Sequence, residues 1–272
     1  MRRWLPLLLI ALVLGGLTAA VALGSRSPSN DRDWSEDQAR LAVARVDGDR
    51  VEIRNVRNFS YAGEKEFVPR WETRGYDLAK LDSMWFMVER FPGSPGVAHT
   101  LLSYGFGEEY VAISVEIRKE KGESFSPWKG LARTYELMYV VGDERDLIGL
   151  RTHHRRDPVW LFPVKTTKEN MRAAFVSMLS RANALAERPE FYNTLTSTCT
   201  SNIVRHVNEI SPRRVPPSYK TILPAYSDAL AHELGLLDTK LSLEEARQAF
   251  RIDGVATSTG IDEEFSRRIR GR

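Results

Sequence analysis

Near residue 165 the hydrophobic pattern changes its period, and that change sets the fold class. Before it, apolar residues alternate in short runs. Residues 41–56 (LAVARVDGDRVEIRNV) read as a hairpin around Asp47-Gly48. Further strands are predicted at Met84–Phe91, Ala98–Phe106, Glu109–Arg118, Tyr135–Val141 and Val159–Val164. Turn clusters such as Pro92-Gly93-Ser94-Pro95-Gly96 separate them. The run MWFMVERF mixes apolar and charged residues as a half-buried strand does, and Pro158 and Pro163 confine the last strand to a sheet edge. After residue 165 the period becomes helical. Thr166-x-x-Glu169 reads as a capping box, and Met171, Ala174, Phe175, Met178, Leu179, Ala182, Leu185 and Ala186 share one face. Other helices are expected from about Cys199 to Glu209, closed by Pro212, and from Pro224 and Ser227 through Leu234, stopped by Gly235. Ser242-x-x-Glu245 opens one more. A strand-rich front followed by a helical back is an α+β domain.

The N-terminus constrains the compartment. Residues 5–24 (LPLLLIALVLGGLTAAVALG) carry no charge and are long enough to span a bilayer as a helix. Arg2 and Arg3 in front of them place the N-terminus in the cytoplasm and the remainder outside it. Ala20-Val21-Ala22 leaves a secretory peptide, cleaved near Ala22, as the alternative. Either way residues 25–272 are exported, as expected of a bacterial periplasmic domain. The net charge of +3 falls to +1 without the two leading arginines, which gives no reason to expect a nucleic-acid partner. The polar stretch 25–37 reads as a tether, and the polar, basic residues after Gly254 as a loosely held tail.

One cysteine excludes an internal disulfide and a thiolate-clustered metal site; no cofactor or metal motif is present. That cysteine lies in NTLTSTCTSNI (193–203), where Thr196, Ser197 or Thr198 can cap a helix starting at Cys199. A thiol in the first turn meets unpaired amides and the positive end of the helix dipole, and both favour thiolate. A free cysteine is also ordinary core filler, and the stripe Cys199, Ile203, Val207, Ile210 fits both readings. Only a base separates them. His206 is about 10 Å along the same helix, too far to touch the sulfur. His232 fits a structural role, and His153 and His154 sit in the Arg-rich RTHHRRD. His99 remains, presented at a strand start after a Pro/Gly turn. Glu116, or Ser114 beside it, is placed on the next strand to hold the second ring nitrogen.

These residues carry a resemblance. RNFSY (57–61), GVAHTLLSYGFG (96–107), YVAISVEIRKEKGESFSPWKGL (110–131), YELMYVVGDERDLIGLRT (135–152), EFYNTLTSTCTSNIVRHVN (190–208) and LPAYSDALAHELGLLDT (223–239) are similar to the Lnb-type N-terminal periplasmic domain family, which includes lipoprotein N-acyltransferases. The resemblance covers roughly residues 40 to 240. It implies a permuted papain-like (NlpC-like) fold of antiparallel strands packed against helices, the histidine strand preceding the cysteine helix. It also implies an acyl-transfer site at Cys199 and His99. Ser197-Thr198 stands where relatives often carry asparagines. The expected organisation is an anchor or signal peptide at 1–24, a tether at 25–40, a thiol acyltransferase domain at 41–240, and a C-terminal helix and tail at 241–272. The expected activity moves a fatty acyl chain from a membrane glycerophospholipid or diacylglyceryl group, through a Cys199 thioester, to a lipoprotein N-terminal amine. Trp71, Trp85, Phe86, Phe91 and Trp128 are candidates to line an acyl groove, though core packing suits each. Arg151, Arg155 and Arg156 read as a basic loop, with lipid phosphate as a lesser role. A papain-like thiol peptidase or amidase, and an inactive envelope binding protein, are the alternatives.

Overall fold

The computed structural model describes residues 26–211 and 214–271. The first strands are β1 (Val43–Asp47), β2 (Arg50–Arg57), β3 (Ser60–Tyr61), β4 (Phe67–Val68) and β5 (Trp71–Asp77). They are followed by β6 (Ser83–Arg90), β7 (Ala98–Phe106), β8 (Glu109–Arg118), β9 (Glu136–Gly142) and β10 (Val159–Pro163). The helices are α1 (Pro127–Leu131), α2 (Glu144–Gly149), α3 (Lys168–Glu187), α4 (Cys199–Ile210), α5 (Tyr219–Ile222), α6 (Ser227–Glu233), α7 (Leu243–Ala249), α8 (Asp253–Thr257) and α9 (Phe265–Arg268). Leu150–Arg155 continues α2 as a π-type turn.

One sheet runs in the order β1-β2-β9-β8-β7-β6-β10, with β5 also paired to β2. The expected antiparallel sheet is in fact mixed, because β2 meets β9 in parallel at Arg57↔Gly142. Every other ladder in it is antiparallel. Strands β6 to β9 form where alternation predicts them, and β10 is an edge strand, as its prolines require. The first hairpin turns one residue later than expected, at Gly48-Asp49, since Asp47 pairs with Arg50. The charged β5 carries no apolar alternation, and only its pairing with β2 makes it a strand.

Helices cover both faces. On one, α3 and α4 bury Phe175, Met178, Leu179 and Ile203 against Tyr104, Ile113 and Tyr139 of the sheet. The buried face of α3 holds Met171, Ala174, Phe175, Met178, Leu179, Ala182 and Leu185, the predicted stripe but for Ala186. Its cap is Thr167 rather than Thr166: the Thr167 hydroxyl accepts from the Asn170 N–H. On the other face, Met87, Leu101 and Met138 pack with Leu147, Ile148, Phe265 and Ile269.

That second layer overturns two expectations. The tail after Gly254 is packed: Phe265 is buried, and Arg270 pairs with buried Glu144 while lying over Trp85 and Tyr110. Strand β6 is therefore covered on both sides rather than half-buried, its residues Met84–Glu89 all being buried. The polar segment 25–37 is not a loose tether over its described residues either. Trp34 is buried beneath the Arg118 guanidinium, and Asn30 donates to the Leu185 and Ala186 carbonyls at the end of α3. Among the described residues no helix is long and apolar enough to cross a membrane. The apolar run 5–24 and the expected stop at Pro212 lie outside the described residues.

Candidate active site

The site is built where two neighbouring strands part. The β7–β8 ladder ends at Leu101↔Ser114, while β7 stays paired to β6 as far as Ala98 and β8 stays paired to β9 as far as Arg118. The first residues of β7 and the last of β8 thus diverge, and the start of α4 packs there: Thr200 and Thr100 hydroxyls lie 3.1 Å apart. Thr198 caps α4 with a reciprocal box. Its hydroxyl accepts from the Ser201 N–H at 3.1 Å, and the Ser201 hydroxyl accepts from the Thr198 N–H at 2.8 Å. Cys199 is consequently held in the first helical position, buried, with the dipole behind it.

His99 is the second residue of β7, reached through the turn that ends at Gly96. Gly96 has φ +81°, a left-handed conformation that strains any other residue, and a Cβ there would also come within 3.3 Å of Leu223, so the turn favours glycine. The imidazole stands against the thiol. Burial pushes the Cys199 pKa up, but the His99 ring and the Thr100 hydroxyl and N–H outweigh it and bring the thiol down to about 7. Buried Tyr192 also neighbours the sulfur; burial first, then the Cys199 charge, pushes its phenol up.

The other side of the ring is held by a chain of bonds. His99 Nε2 is 2.7 Å from Ser114 Oγ, and Ser114 Oγ donates to Glu116 Oε1 at 2.8 Å. Glu116 Oε1 in turn accepts from Arg151 Nη2 at 3.1 Å, and Arg151 Nε donates to Glu89 at 2.7 Å. Burial alone raises the Glu116 pKa, yet Arg151, then His99 and Arg57, hold it well below the usual carboxylate range. A carboxylate only accepts, and a serine hydroxyl has one proton to give. Ser114 spends that proton on Glu116, so it must accept from His99, which places the ring proton on Nε2. In the neutral ring Nδ1 is then the accepting nitrogen.

Of the residues named from sequence, Cys199, His99, Ser114 and Glu116 are brought together. Ser114, not Glu116, holds the ring directly, with Glu116 one bond further back at 3.8 Å from Nε2. Arg151 is not part of a solvated basic loop: it is buried and occupied by Glu89, Glu116 and the Leu147 carbonyl. Arg155 reaches Glu89 and Glu64. Only Arg156 is exposed without such a bond among the described residues, ending the turn at φ 58°. His206 is buried between Tyr139 and Ser177, His232 donates to the Leu241 carbonyl at the surface, and His153 lies on Phe265. Sequence reasoning missed Thr100, Glu89 and the role of Arg151. Thr100 adjoins His99, but nothing local distinguishes Arg151 from an exposed arginine.

Behind Thr200 lies an apolar slot of about 70 Å³. Phe86, Leu102, Ile203, Val207 and Leu230 line it, and among the described residues its only polar ones are Thr200 and Ser227. Phe86 is the one groove candidate found there. Trp85 faces the other core under Arg270, Trp71 meets Phe59 edge-on, and Trp128 is exposed. Phe91 lines a wider cleft of about 600 Å³ beside the Gly93–Val97 turn, where Arg90 and Arg247 both pair with buried Asp228 and Lys220 pairs with Glu233. No group of three His, Cys, Asp or Glu able to hold a metal occurs among the described residues.

A thiol titrating near 7 reacts at lower pH than an ordinary one. Alkylation of Cys199 by iodoacetamide, followed against pH, should rise through a midpoint near 7. A midpoint at the usual thiol value, about 8.5, would show that the imidazole does not reach the sulfur.

The family model of the Lnb N-terminal periplasmic domain matches residues 67–225, a narrower span than the motifs mark but one holding both the His99 strand and the Cys199 helix. No curated protein and no solved structure matches the chain. The match covers more than half of the sequence, and the chain therefore belongs to the Lnb N-terminal periplasmic domain family.

Proposed function

We propose that this protein is a membrane-tethered periplasmic thiol acyltransferase with a permuted papain-like site. The apolar slot behind Thr200 carries the reading. Thr200 lines that slot and its hydroxyl lies 3.9 Å from the Cys199 sulfur, so only this side chain separates the apolar space from the thiol. Apolar cavities stay dry and accept hydrocarbon. On the measure by which a water needs about 10–15 Å³, the slot admits a short run of methylenes, those nearest the acyl carbonyl.

The mechanism follows from the ring's tautomer. His99 Nδ1 takes the Cys199 proton, and the sulfur attacks the ester carbonyl of a glycerophospholipid or diacylglyceryl group. The tetrahedral intermediate collapses to a thioester, and the leaving alkoxide receives the proton from His99. The first amides of α4, which the Thr198 cap leaves free, are the donors on offer to the oxyanion. An amine, that of a lipoprotein N-terminus, then attacks the thioester; His99 takes its proton and returns it to the leaving sulfur. Residues 5–24, as a retained anchor in the inner membrane, would keep donor and acceptor within reach without diffusion.

Incubation of the protein with diacyl phospholipid should leave a fatty-acyl adduct in the intact mass, absent in Cys199→Ala. No adduct on the wild type, with the thiol still alkylated near pH 7, would replace the reading by a thiol amidase. The wide cleft next to the His99 turn favours that second activity, since its polar and charged lining suits a polar peptide or glycan.

A further inference from the structure

A patch of exposed apolar side chains borders the site. Trp128 is 77% exposed, Leu195 54%, Phe125 46% and Leu131 37%. They are contiguous: Trp128 and Leu131 lie three residues apart on α1, and Thr194 donates to the Pro127 carbonyl, joining the Leu195 loop to that helix. Asn193 holds this loop by accepting from the Leu195 and Thr196 N–H groups. The same loop runs directly into Cys199. Lys129 and Arg133, both exposed, rim the patch and form no ion pair among the described residues. Large apolar groups with unpaired cations around them are the composition of a surface that rests in a lipid headgroup layer.

The course of the N-terminal segment names the occupant. Arg26 pairs with Glu120, Asp33 accepts from the Lys121 N–H, and Ser35 donates to the Lys119 carbonyl. Ser29 and Arg32 both donate to Glu136 at the start of β9. The chain is thus pinned to the 119–123 loop, immediately before Phe125. The uncharged run 5–24 ends two residues before Arg26, a reach of about 7 Å.

We infer that the face formed by Phe125, Trp128, Leu131 and Leu195 docks on the bilayer beside the point where residues 5–24 enter it, so that the loop leading to Cys199 rests against lipid. This deepens the acyl-transfer reading and rests on it for the retained anchor, but lipid depth is measured without turnover.

The test uses the full chain reconstituted in vesicles of phosphatidylethanolamine and phosphatidylglycerol. In a Cys199→Ser background a spin label is placed at Lys129→Cys, with Glu108→Cys as reference on the turn at the far end of β7 and β8. The label at 129 should sit about 5–10 Å into the headgroup and acyl boundary, protected from an aqueous relaxant, while the label at 108 stays exposed. Adding Trp128→Asp should move the first label outward. Equal aqueous access at 129 and 108 would overturn the inference, as would a label at 129 shielded from both aqueous and lipid-borne relaxants, which means protein covers the face. A docked face with no acyl adduct would leave docking standing and remove the acyl-transfer reading.

Discussion

On the acyl-transfer reading, His99→Ala slows acylation of Cys199 by about 10²–10⁴-fold, the range lost with a positioned general base. The fold should persist, because the His99 side chain is partly exposed and bonds only at the open end of the sheet. The variant also removes the largest of the influences that lower the thiol pKa, so its alkylation midpoint should climb from about 7 toward the ordinary thiol value. Burial, the remaining large influence, pushes in that same direction. Ser114→Ala separates orientation from proton transfer. It keeps the base but frees Nε2, so Nδ1 is no longer reserved for the thiol, and the rate should fall less than in His99→Ala. Single-turnover acylation followed by intact mass reads both, and an unchanged rate in His99→Ala would remove this histidine from the chemistry.

The second large effect lies beneath the site. Arg151→Ala should destabilise the protein by about 3–5 kcal/mol, the usual cost of leaving a buried charge without its partner. Glu89 is fully buried, and Arg151 is the first of the cations that hold its pKa below the carboxylate range. Arg155, the second, is about a third exposed. Its replacement by alanine should cost no more than about 1 kcal/mol. Urea unfolding of the two variants makes the comparison, and equal losses would contradict the assignment of Arg151 as the main counter-charge. Arg151→Ala should also release Glu116, and through Ser114 disturb the ring, so its loss of rate should exceed what the folded fraction explains.

Much of this arrangement is legible locally. Alternation marks β6 to β10, the stripe Met171–Leu185 marks α3, and the hydroxyl-rich approach to Cys199 marks a capped first turn. The Pro/Gly turn before His99 marks a rigid strand start. Each is a short-range signal, because side-chain period and end capping are settled within a few residues of the chain. The approach of His99 to Cys199 is not such a signal, yet elimination among five histidines reaches it, since the others are too distant or accounted for.

What the tertiary structure alone decided has the opposite character. Whether Arg151 is a solvated cation or the buried support of Glu116 depends on Glu89, 62 residues away. Whether residues 26–37 hang free or pack depends on Glu120, Glu136 and the end of α3. The tail is anchored by Glu144, 126 residues from Arg270. Ser114 replaces Glu116 as the ring's direct partner because β7 and β8 part at their pair. A charged or polar side chain looks the same in sequence whether water or a distant partner satisfies it. The cost of burial and the partner that offsets it are both set by the fold.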